Sequence, residues 1–369
     1  MKIGIDARMY RSSVAGIGRY SQNLIKNLLE LDLENEYILF MTSEDKKEFE
    51  NWAIENSLKI KNLKLKIIVT DIPHYSIGEQ IKFAKIIEKE RLDLMHFLHF
   101  NVPVRYKGKF IVTIHDLTLL FYPQAAKDIN FLKHLGFRWV IKKAVLNAQK
   151  IIAVSENTKK DIIKKFQIPE SRIQVIYEAA DDKIFKEINS DLSNKLRTQY
   201  AIGNKPVILY VGQFRGHKNI ASLVKAFTKL RKEIPCQLVL LGSGPKIDNP
   251  DIIMPGYVSD EELAAWYKLA DVFAMPSLYE GFGLPGLEAM TAGVPVVASN
   301  RASLPEVYQD AACYFNPFSF QDISDKIKMV LQDKKLRQKL IENGRKVSGQ
   351  YSWRKTAEET LTVYKQISK

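Results

Sequence analysis

Residues 276–299 read PSLYEGFGLPGLEAMTAGVPVVAS, and this stretch predicts a turn, a helix and a buried strand in immediate succession. Gly281 and Gly283 permit a backbone path that no side chain would allow. Pro285 suits the first turn of a helix, where its missing N–H is not needed. Gly293 is expected to end the helix, and residues 294–298 form a short apolar run typical of a parallel strand. The stretch therefore predicts an α/β fold with a parallel sheet.

Two carboxylates bracket the start of this predicted helix, Glu280 just before the glycines and Glu288 one turn inside the helix. Free N–H groups at a helix start attract an anion such as phosphate, and the helix dipole supports them. Because a carboxylate beside a phosphate would be repelled, we expect both carboxylates to accept hydrogen bonds from hydroxyl groups instead. Phosphate on the backbone and hydroxyls on the carboxylates together describe a nucleotide sugar.

The spacing of Glu280 and Glu288 around Gly-Phe-Gly-Leu-Pro resembles the signature of the retaining, GT-B fold glycosyltransferases of family four. The resemblance implies two Rossmann-like domains facing a cleft, with a C-terminal helix that crosses back to the first domain. It also implies that Glu288 holds the ribose and that Glu280 meets the donor sugar. The backbone amides of Phe282, Gly283 and Leu284 are implied to contact the diphosphate.

The length of 369 residues predicts two domains of roughly 150–200 residues each. The alternation of strands and helices restarts after Phe185, so we place an N-terminal acceptor domain at residues 1–182. The donor domain is placed at residues 183–351, with residues 352–369 packing back on the first domain. No run approaches the ~20 apolar residues that span a bilayer. The N-terminal sequence MKIGIDARMY is expected to be a strand rather than a signal peptide, so we expect a cytoplasmic protein.

The formal net charge of +13 favours either an anionic partner or a solvated, lysine-rich surface. Nucleic acid is disfavoured as the partner, since the sequence has no zinc spacing, RNA-binding aromatic motif or arginine-rich tract. An anionic membrane is the other alternative, and peripheral attachment would use residues 119–123 and the basic residues that follow: Lys127, Lys133, Arg138, Lys142, Lys143 and Lys150. Apolar residues such as Trp139 and Leu146 run all round the helix predicted at residues 131–148. This pattern predicts a helix buried in its own domain, with membrane contact through the loop before it.

The chain opens with a predicted strand from Lys2 to Ala7 and a helix from Asn23 to Leu31, joined by a glycine-bearing loop. Gly16 and Gly18 in this loop give only a partial dinucleotide-binding pattern, because the third glycine of Gly-x-Gly-x-x-Gly is missing. The resemblance implies that a glycine of this loop meets the donor phosphates, so Gly16 is the first candidate and Gly18 the second. A purely structural turn is the alternative.

The run FIVTI at residues 110–114 predicts a buried strand that delivers His115 and Asp116 at its carboxyl end. Ligands bind at that end of the strands in doubly wound sheets. The resemblance implies that His115 contacts the donor sugar near its anomeric carbon, and a core histidine is the structural alternative. His96 and His99 stand three residues apart without a third metal ligand, so we expect their loop to line the acceptor cleft.

Lys218 follows a second predicted buried strand, at residues 206–212. A departing diphosphate gathers negative charge, which preorganised cations stabilise. Lys218 matches the lysine that the family carries here, whereas Gln213 stands where most members have an arginine. Arg215 is the favoured replacement for that arginine. The alternatives are His217 and the use of Lys218 alone.

Two further segments resemble parts of the family's nucleotide site. Gly244 belongs to a partial Gly-x-Gly that follows a predicted strand, and the alternative for it is a tight turn. Tyr257 and Val258 match the segment that presents backbone groups to the nucleotide base.

These features predict a retaining hexosyltransferase that uses a nucleotide-diphosphate sugar as donor and a glycan or lipid-linked hydroxyl as acceptor. The sequence contains no Asp-x-Asp pair, so we expect a metal-independent enzyme without a cofactor. The runs at residues 15–20 and 115–118 look most like those of bacterial mannosyltransferases of polysaccharide synthesis. GDP-mannose is therefore the first expected donor, and a UDP-sugar is the alternative.

Two rival functions belong to other classes. A GT-B fold nucleotide-sugar epimerase would carry acid and base carboxylates near the anomeric carbon, where this sequence has His115. A non-catalytic protein that only binds nucleotide sugars is disfavoured because the sequence keeps a complete set of catalytic candidates: Glu280, Glu288, Lys218 and His115.

Overall fold

The computed structural model describes residues 1–11, 14–55, 64–122, 131–181 and 190–367. Contacts between residues divide the chain into two compact units. The first unit comprises Met1–Leu117, Asp128–Glu178 and Trp353–Lys369, and the second comprises Thr118–Lys127 and Ala179–Ser352. The predicted domain boundary at 182/183 lies outside the described residues. This boundary and the one predicted at 351/352 stay predictions.

Within the described residues, seven parallel strands form the sheet of the first unit, in the order β3-β2-β1-β4-β5-β6-β7. Their sequences are short apolar runs, and β4 and β5 are buried along their whole length. Such runs are typical of strands that helices cover on both faces. The strands are Lys2–Asp6 (β1), Glu36–Met41 (β2), Leu65–Val69 (β3), Leu94–Phe97 (β4), Phe110–Ile114 (β5), Lys150–Ala153 (β6) and Ile173–Val175 (β7).

The second unit repeats this topology with six described parallel strands, in the order β10-β9-β8-β11-β12-β13. Its strands are Val207–Val211 (β8), Gln237–Leu241 (β9), Ile252–Gly256 (β10), Val272–Met275 (β11), Val296–Ser299 (β12) and Ala312–Phe315 (β13). In both sheets the strand order reverses once, between β1 and β4 and between β8 and β11. Ligands of doubly wound folds bind outside the carboxyl ends of the strands at such a reversal. Each unit is thus a Rossmann-like domain, as predicted.

Helices connect the strands of both sheets. Those of the described residues are Ala15–Leu31 (α1), Ser43–Glu55 (α2), Ala84–Lys89 (α3, preceded by a π-helical turn at Glu79–Phe83), Thr118–Phe121 (α4), Phe131–Asn147 (α5), Glu156–Phe166 (α6), Ser190–Gln199 (α7), Ile220–Leu230 (α8), Asp260–Leu269 (α9), Leu284–Thr291 (α10), Leu304–Tyr308 (α11), Phe320–Gln332 (α12), Lys334–Ser348 (α13) and Trp353–Ile367 (α14). Within this part of the chain, no helix is both long enough and apolar enough to cross a bilayer.

The last helix, α14, packs on the first unit although it follows the whole second unit in sequence. The Tyr364 hydroxyl lies 2.7 Å from Nδ1 of the buried His96. The Thr356 hydroxyl donates to the Tyr177 carbonyl oxygen at 2.8 Å. The predicted return of the C-terminal helix to the first domain is therefore confirmed.

Helix α5 exposes apolar side chains that its sequence pattern led us to expect inside. Leu135, Trp139 and Leu146 are 44%, 51% and 40% exposed, and their spacing places them on one helix face. Ile141 and Val145 lie on the opposite, buried face. Three basic side chains are also exposed on this helix: Arg138, Lys142 and Lys143. The prediction that α5 is buried is therefore wrong. Its solvent-exposed face carries both apolar and basic side chains.

Candidate active site

The strand reversal of the second unit brings together a lysine and a glutamate. Lys218 ends a short 3-10 helix that follows β8, and Glu280 lies in the loop that follows β11. The Lys218 ammonium nitrogen is 2.7 and 2.8 Å from the two carboxylate oxygens of Glu280. Only 9% of Glu280 is exposed. Two residues that were predicted from separate segments thus form one partly buried ion pair at the carboxyl ends of neighbouring strands.

Backbone and side-chain hydrogen bonds hold these two loops in place. The Leu278 N–H donates to the His217 carbonyl oxygen at 2.7 Å. The Asn219 side chain donates to the Pro276 carbonyl oxygen at 3.2 Å, and the Ser303 hydroxyl donates to the Glu280 carbonyl oxygen at 3.1 Å. The Lys218–Glu280 pair therefore has a fixed frame, as a preorganised charge site requires.

Helix α10 begins with the geometry that the glycines predict. Gly283 precedes it with a φ of 99°, a left-handed conformation that glycine adopts without penalty. A Cβ at Gly283 would lie 2.6 Å from side-chain atoms of Leu304 and Tyr308. The Tyr308 hydroxyl donates to the Gly283 carbonyl oxygen at 2.5 Å. Close packing thus adds a second requirement for glycine, and Pro285 lies in the first turn as predicted.

Glu288 lies in α10 and is only 4% exposed. The Tyr267 hydroxyl lies 3.0 Å from its Oε2 atom and also 3.0 Å from the Pro285 carbonyl oxygen. Since a phenol has one proton, Tyr267 can donate to only one of these acceptors at a time. Through this contact Tyr267 orients Glu288, the residue that is predicted to hold the ribose. The sequence gives no signal for this contact, because the two residues lie on different helices.

The predicted phosphate cations differ in exposure. Arg215 is exposed to solvent, whereas His217 is only 6% exposed. Gln213, at the position where an arginine is usual, is exposed as well. An exposed guanidinium can reach a ligand, which favours Arg215. The roles of Arg215 and Lys218 stay a prediction.

The two other segments predicted to belong to the nucleotide site, around Gly244 and Tyr257, lie at the carboxyl ends of β9 and β10. A Cβ at Gly244 would lie 2.2 Å from the Phe214 side chain, so packing alone requires glycine there. Tyr257 is 74% exposed and follows Gly256, which has a φ of 85°. Val258 beside it is half-buried. An exposed aromatic ring at this edge can stack on a flat base.

In the first unit, His115 lies directly after β5 and contacts a carboxylate that the sequence reading missed. Its Nδ1 is 2.8 Å from Oε1 of Glu178, and its Nε2 is 2.9 Å from the Leu98 carbonyl oxygen. Burial lowers the pKa of His115, but Glu178, the Leu98 carbonyl and Asp116 outweigh it, so the pKa is raised. The sequence signal that could have found Glu178 is its position: it is a carboxylate three residues beyond the carboxyl end of β7.

Two other histidines near His115 behave differently. His96 is fully buried between the hydroxyls of Tyr364 and Thr113, at 2.7 and 2.9 Å. Burial and the charge of His115 lower its pKa to about 3. Burial, His115 and His74 also lower the pKa of His99 well below its usual value. In the described ranges, no group of three or more His, Cys, Asp or Glu side chains could hold a metal ion.

Gly16 and Gly18 lie in the first turns of α1 and not in a loop, because the helix begins at Ala15 rather than at Asn23. A Cβ at Gly18 would lie 2.2 Å from the Arg11 carbonyl oxygen, so glycine lets the helix pack on the preceding loop. No atom lies within 4 Å of a Cβ built at Gly16. The position of Gly16 therefore has no steric explanation within the described residues.

A small pocket opens at the strand reversal of the first unit. Behind one of its lining residues, Asp6, lies the buried Arg8 guanidinium, which pairs with Asp6 at 2.7 Å and with Glu79 at 2.6 Å. The Asn101 amide donates to the other oxygen of Glu79 at 2.7 Å. The pocket lining mixes polar and apolar residues: Asp6, Met9, Ile17, His74, Leu98, His99 and Asn101. The sequence reading did not single out Arg8 or Glu79.

Two Rossmann-like domains, with charged sites at the strand reversals and a returning C-terminal helix, define the GT-B class of glycosyltransferases. The family model "Glycosyltransferase Family 4" matches residues 14–183, and "Glycosyl transferases group 1" matches residues 193–347. The chain belongs to the family-four type of glycosyltransferase, as the signature around Glu280 and Glu288 predicted. The prediction of a hexosyltransferase enzyme is confirmed with it.

Named relatives agree with this assignment. The chain is 28% identical over 388 residues to the O-antigen chain mannosyltransferase B of Escherichia coli, covering 99% of this chain and 100% of that protein. It is 30% identical over 276 residues to the serotype-specific mannosyltransferase WbdA of Escherichia coli, covering 70% of this chain and 33% of WbdA. The solved structure of Anabaena HepE with UDP-glucose matches 99% of this chain and all of HepE, with a TM-score of 0.75 at 16% identity.

Proposed function

We propose that the protein transfers mannose from GDP-mannose to a hydroxyl group of a glycan or lipid-linked acceptor, with retention of the anomeric configuration. The observation that carries the proposal is the Lys218–Glu280 pair, fixed beside the start of α10. That arrangement combines a cation and helix N–H groups for a diphosphate with a carboxylate for sugar hydroxyls. The mannosyltransferase relatives support mannose as the transferred sugar.

In the proposed reaction the bond between the anomeric carbon and the diphosphate oxygen breaks. Lys218, Arg215 and the first amides of α10 stabilise the charge that collects on the leaving diphosphate. The acceptor oxygen attacks from the same face, and its proton passes to the departing diphosphate. Glu288 holds the ribose, and His115 donates a hydrogen bond to the sugar. No step requires a metal ion, because cations of the chain occupy that role.

We assign the acceptor end of the reaction to the first unit. Its pocket offers carboxylate, imidazole and amide groups, which recognise sugar hydroxyls by hydrogen bonding. Arg8 and Glu79 hold two of its lining side chains in place, Asp6 and Asn101. A rigid polar wall suits selection among hydroxyl groups, because an unpaired buried polar atom costs about 1–3 kcal/mol.

A donor screen tests this function. We expect GDP release from GDP-mannose that depends on an added glycan or lipid-linked acceptor and persists in excess EDTA. Lys218→Ala should lower turnover about 10²-fold, the scale for loss of one charged transition-state contact. Lys225→Ala removes an exposed lysine of the same unit and should leave turnover unchanged. Activity that needs added Mg²⁺ or Mn²⁺, or an unaffected Lys218→Ala variant, would contradict the proposal.

A UDP-sugar donor is the second candidate, because the structural neighbour HepE was solved with UDP-glucose. The same screen separates the two candidates, since UDP release from a UDP-sugar with no turnover of GDP-mannose would select it. Conversion of a nucleotide sugar into its epimer without an acceptor would instead indicate the epimerase alternative.

We also propose that α5 attaches the protein to an anionic membrane surface, where a lipid-linked acceptor would lie. The exposed face of α5 combines Leu135, Trp139 and Leu146 with three basic side chains. Apolar anchors among basic residues are typical of helices that lie in a membrane interface. Of the basic residues expected to take part, Lys127 and the side chain of Lys133 lie outside the described residues.

A further inference from the structure

The His115 imidazole is held between two hydrogen-bond acceptors. Nδ1 lies 2.8 Å from a carboxylate oxygen of Glu178, and Nε2 lies 2.9 Å from the Leu98 carbonyl oxygen. An ionised carboxylate and a backbone carbonyl can only accept hydrogen bonds. Both ring nitrogens must therefore carry a proton if both contacts are hydrogen bonds. A ring protonated at both nitrogens is an imidazolium.

We infer that Glu178 is a positioning residue that keeps His115 as a charged imidazolium at the carboxyl end of β5. The Leu98 carbonyl oxygen accepts the Nε2–H bond, so an oxygen of the donor meets this proton by sharing it in a three-centre hydrogen bond. A charged N–H donor forms a shorter and stronger hydrogen bond than a neutral one. The inference deepens the proposed function and rests on it for the part that His115 plays in the reaction.

The groups around His115 favour this charge. Glu178 and Asp116 supply negative charge. His96 and His99 face the ring, and burial together with the charge of His115 lowers both of their pKa values, so neither repels the imidazolium near neutral pH. The Tyr20 ring packs edge-on against His115 at 4.6 Å between centroids. Burial raises the pKa of Tyr20, which therefore stays neutral.

Helix α14 contacts residues that hold His115 and Glu178 in place. The Thr356 hydroxyl donates to the carbonyl oxygen of Tyr177, the residue that precedes Glu178, at 2.8 Å. The Trp353 ring contacts Tyr20 at 5.8 Å between centroids, and Tyr20 in turn packs on His115. The Tyr20 hydroxyl is 3.1 Å from the Thr113 hydroxyl in β5. Both members of the His115–Glu178 pair are thus fixed through the last helix.

The inference sets the direction of the pH dependence. A histidine whose pKa is raised in the folded protein keeps its charge below the ordinary histidine value and loses it as the pH rises through the raised value. Turnover should therefore fall on the alkaline side as His115 loses its proton. Glu178→Gln keeps the shape of the side chain but removes the charge, so this alkaline limb should move to lower pH by about one unit or more.

Two measurements on the full-length protein test the inference. The first is a long-range ¹H–¹⁵N spectrum of the histidine rings without substrate, with His115 assigned by His115→Gln. We expect both His115 nitrogens to be protonated at pH 7, and the titration to move to lower pH in Glu178→Gln. A neutral ring at pH 7 in the unsubstituted protein, or an unchanged titration in Glu178→Gln, would overturn the inference whatever the enzyme's substrate is.

The second measurement is the pH profile of kcat/KM. Glu178→Gln should approach the unsubstituted enzyme at acidic pH and fall behind it as the pH rises. Glu50→Gln removes an exposed carboxylate of the same unit and should leave the profile unchanged. An equal loss at every pH would show a merely structural role and overturn the inference. Failure of the proposed function can be told apart from failure of this inference. In that case the histidine titration would be as expected, but no acceptor-dependent release of nucleotide would be seen.

Discussion

At the scale of single residues, Glu288 offers the sharpest test of the nucleotide site. It is a buried carboxylate whose Oε2 atom lies 3.0 Å from the Tyr267 hydroxyl. A ribose hydroxyl can donate to the same carboxylate, because an ionised carboxylate has about four acceptor sites. We expect Glu288→Ala to weaken GDP binding by about 1.5–3 kcal/mol, the range for a hydrogen bond to a charged group. Tyr267→Phe removes the hydroxyl that orients Glu288 and should cost about 0.5–1.5 kcal/mol of GDP binding.

Isothermal titration calorimetry with GDP, and with UDP for comparison, measures both effects. Thermal unfolding of the two variants controls for loss of structure. An unchanged affinity in a folded Glu288→Ala variant would remove the ribose role from this residue.

Arg215 and His217 compete for the role of the arginine that the family usually carries at Gln213. Arg215 is exposed and can reach a phosphate, whereas His217 is buried. We therefore expect Arg215→Ala to lower kcat about 10²-fold or more, as for loss of one transition-state donor. Arg215→Lys keeps the charge and should lose less. A silent Arg215→Ala together with a severe loss in a folded His217→Ala variant would assign the role to His217.

At the scale of secondary-structure elements, the two helix starts that carry glycines make different demands. Gly283 has a φ of 99° and neighbours that a Cβ would meet at 2.6 Å, so Gly283→Ala should cost about 1–2 kcal/mol or more of the free energy of unfolding. Gly16 lies in α1 with open space around it, so Gly16→Ala should raise stability by up to about 1 kcal/mol. If Gly16 meets the donor phosphates, the same change should lower turnover.

Chemical denaturation and turnover, measured on the same samples, check both variants. The informative result is a Gly16→Ala protein that is at least as stable but less active. Full activity in that variant would leave Gly16 as a tolerated glycine at a helix start.

The contact between β4 and α14 gives a prediction for acid stability. His96 stays neutral in the folded protein because burial and the charge of His115 lower its pKa to about 3. In the unfolded chain His96 takes up a proton near the ordinary histidine pKa of 6.5. The contribution of His96 to the free energy of unfolding is therefore complete above about pH 6.5 and is lost as the pH falls toward 3. The loss should reach about 1.4 kcal/mol per pH unit. Denaturant unfolding should show that the stability of His96→Gln depends less on pH between 6.5 and 3 than that of the unsubstituted protein. The same pH dependence in both proteins would contradict the prediction.

At the scale of the whole molecule, the sequence predicted the architecture because short apolar runs and helix signals alternate regularly. Residues 110–114 form β5 with the predicted bounds, and Pro285 lies in the first turn of α10 as predicted. The start of α1 was missed because Gly16 and Gly18 read as a loop. Local pattern does not reveal that Gly18 allows close packing against the Arg11 backbone.

The site was predictable only where its residues belong to one segment. The run from Glu280 to Glu288 carries its own turn and helix, so the sequence located it directly. Glu178 and Tyr267 were missed because their partners, His115 and Glu288, are distant in sequence and meet them only through the fold. Contacts of this kind depend on the order of strands in the sheet, which spacing along the chain does not encode.

Membrane attachment is the prediction that concerns the molecule as a whole, since the chain carries a net charge of +13. Each basic residue near an anionic surface contributes about 1 kcal/mol, so a few suffice for reversible binding. We expect co-sedimentation with anionic vesicles that weakens as salt screens the charges. Arg138→Glu with Lys142→Glu should reduce binding strongly, and Trp139→Ser should reduce it further because the apolar anchor is lost.

The matched control is Lys47→Glu with Lys64→Glu, which makes the same change of charge on exposed residues beside β2 and β3, at the other edge of the first unit's sheet. If α5 is the attachment surface, this control should bind nearly as well as the unsubstituted protein, because lysines far from a surface contribute little beyond a Debye length of about 8 Å. Equal losses in the two double variants would show that net charge alone drives the binding. Equal binding to neutral vesicles, or binding to neither kind, would contradict attachment to an anionic membrane and leave the exposed face of α5 as ordinary surface.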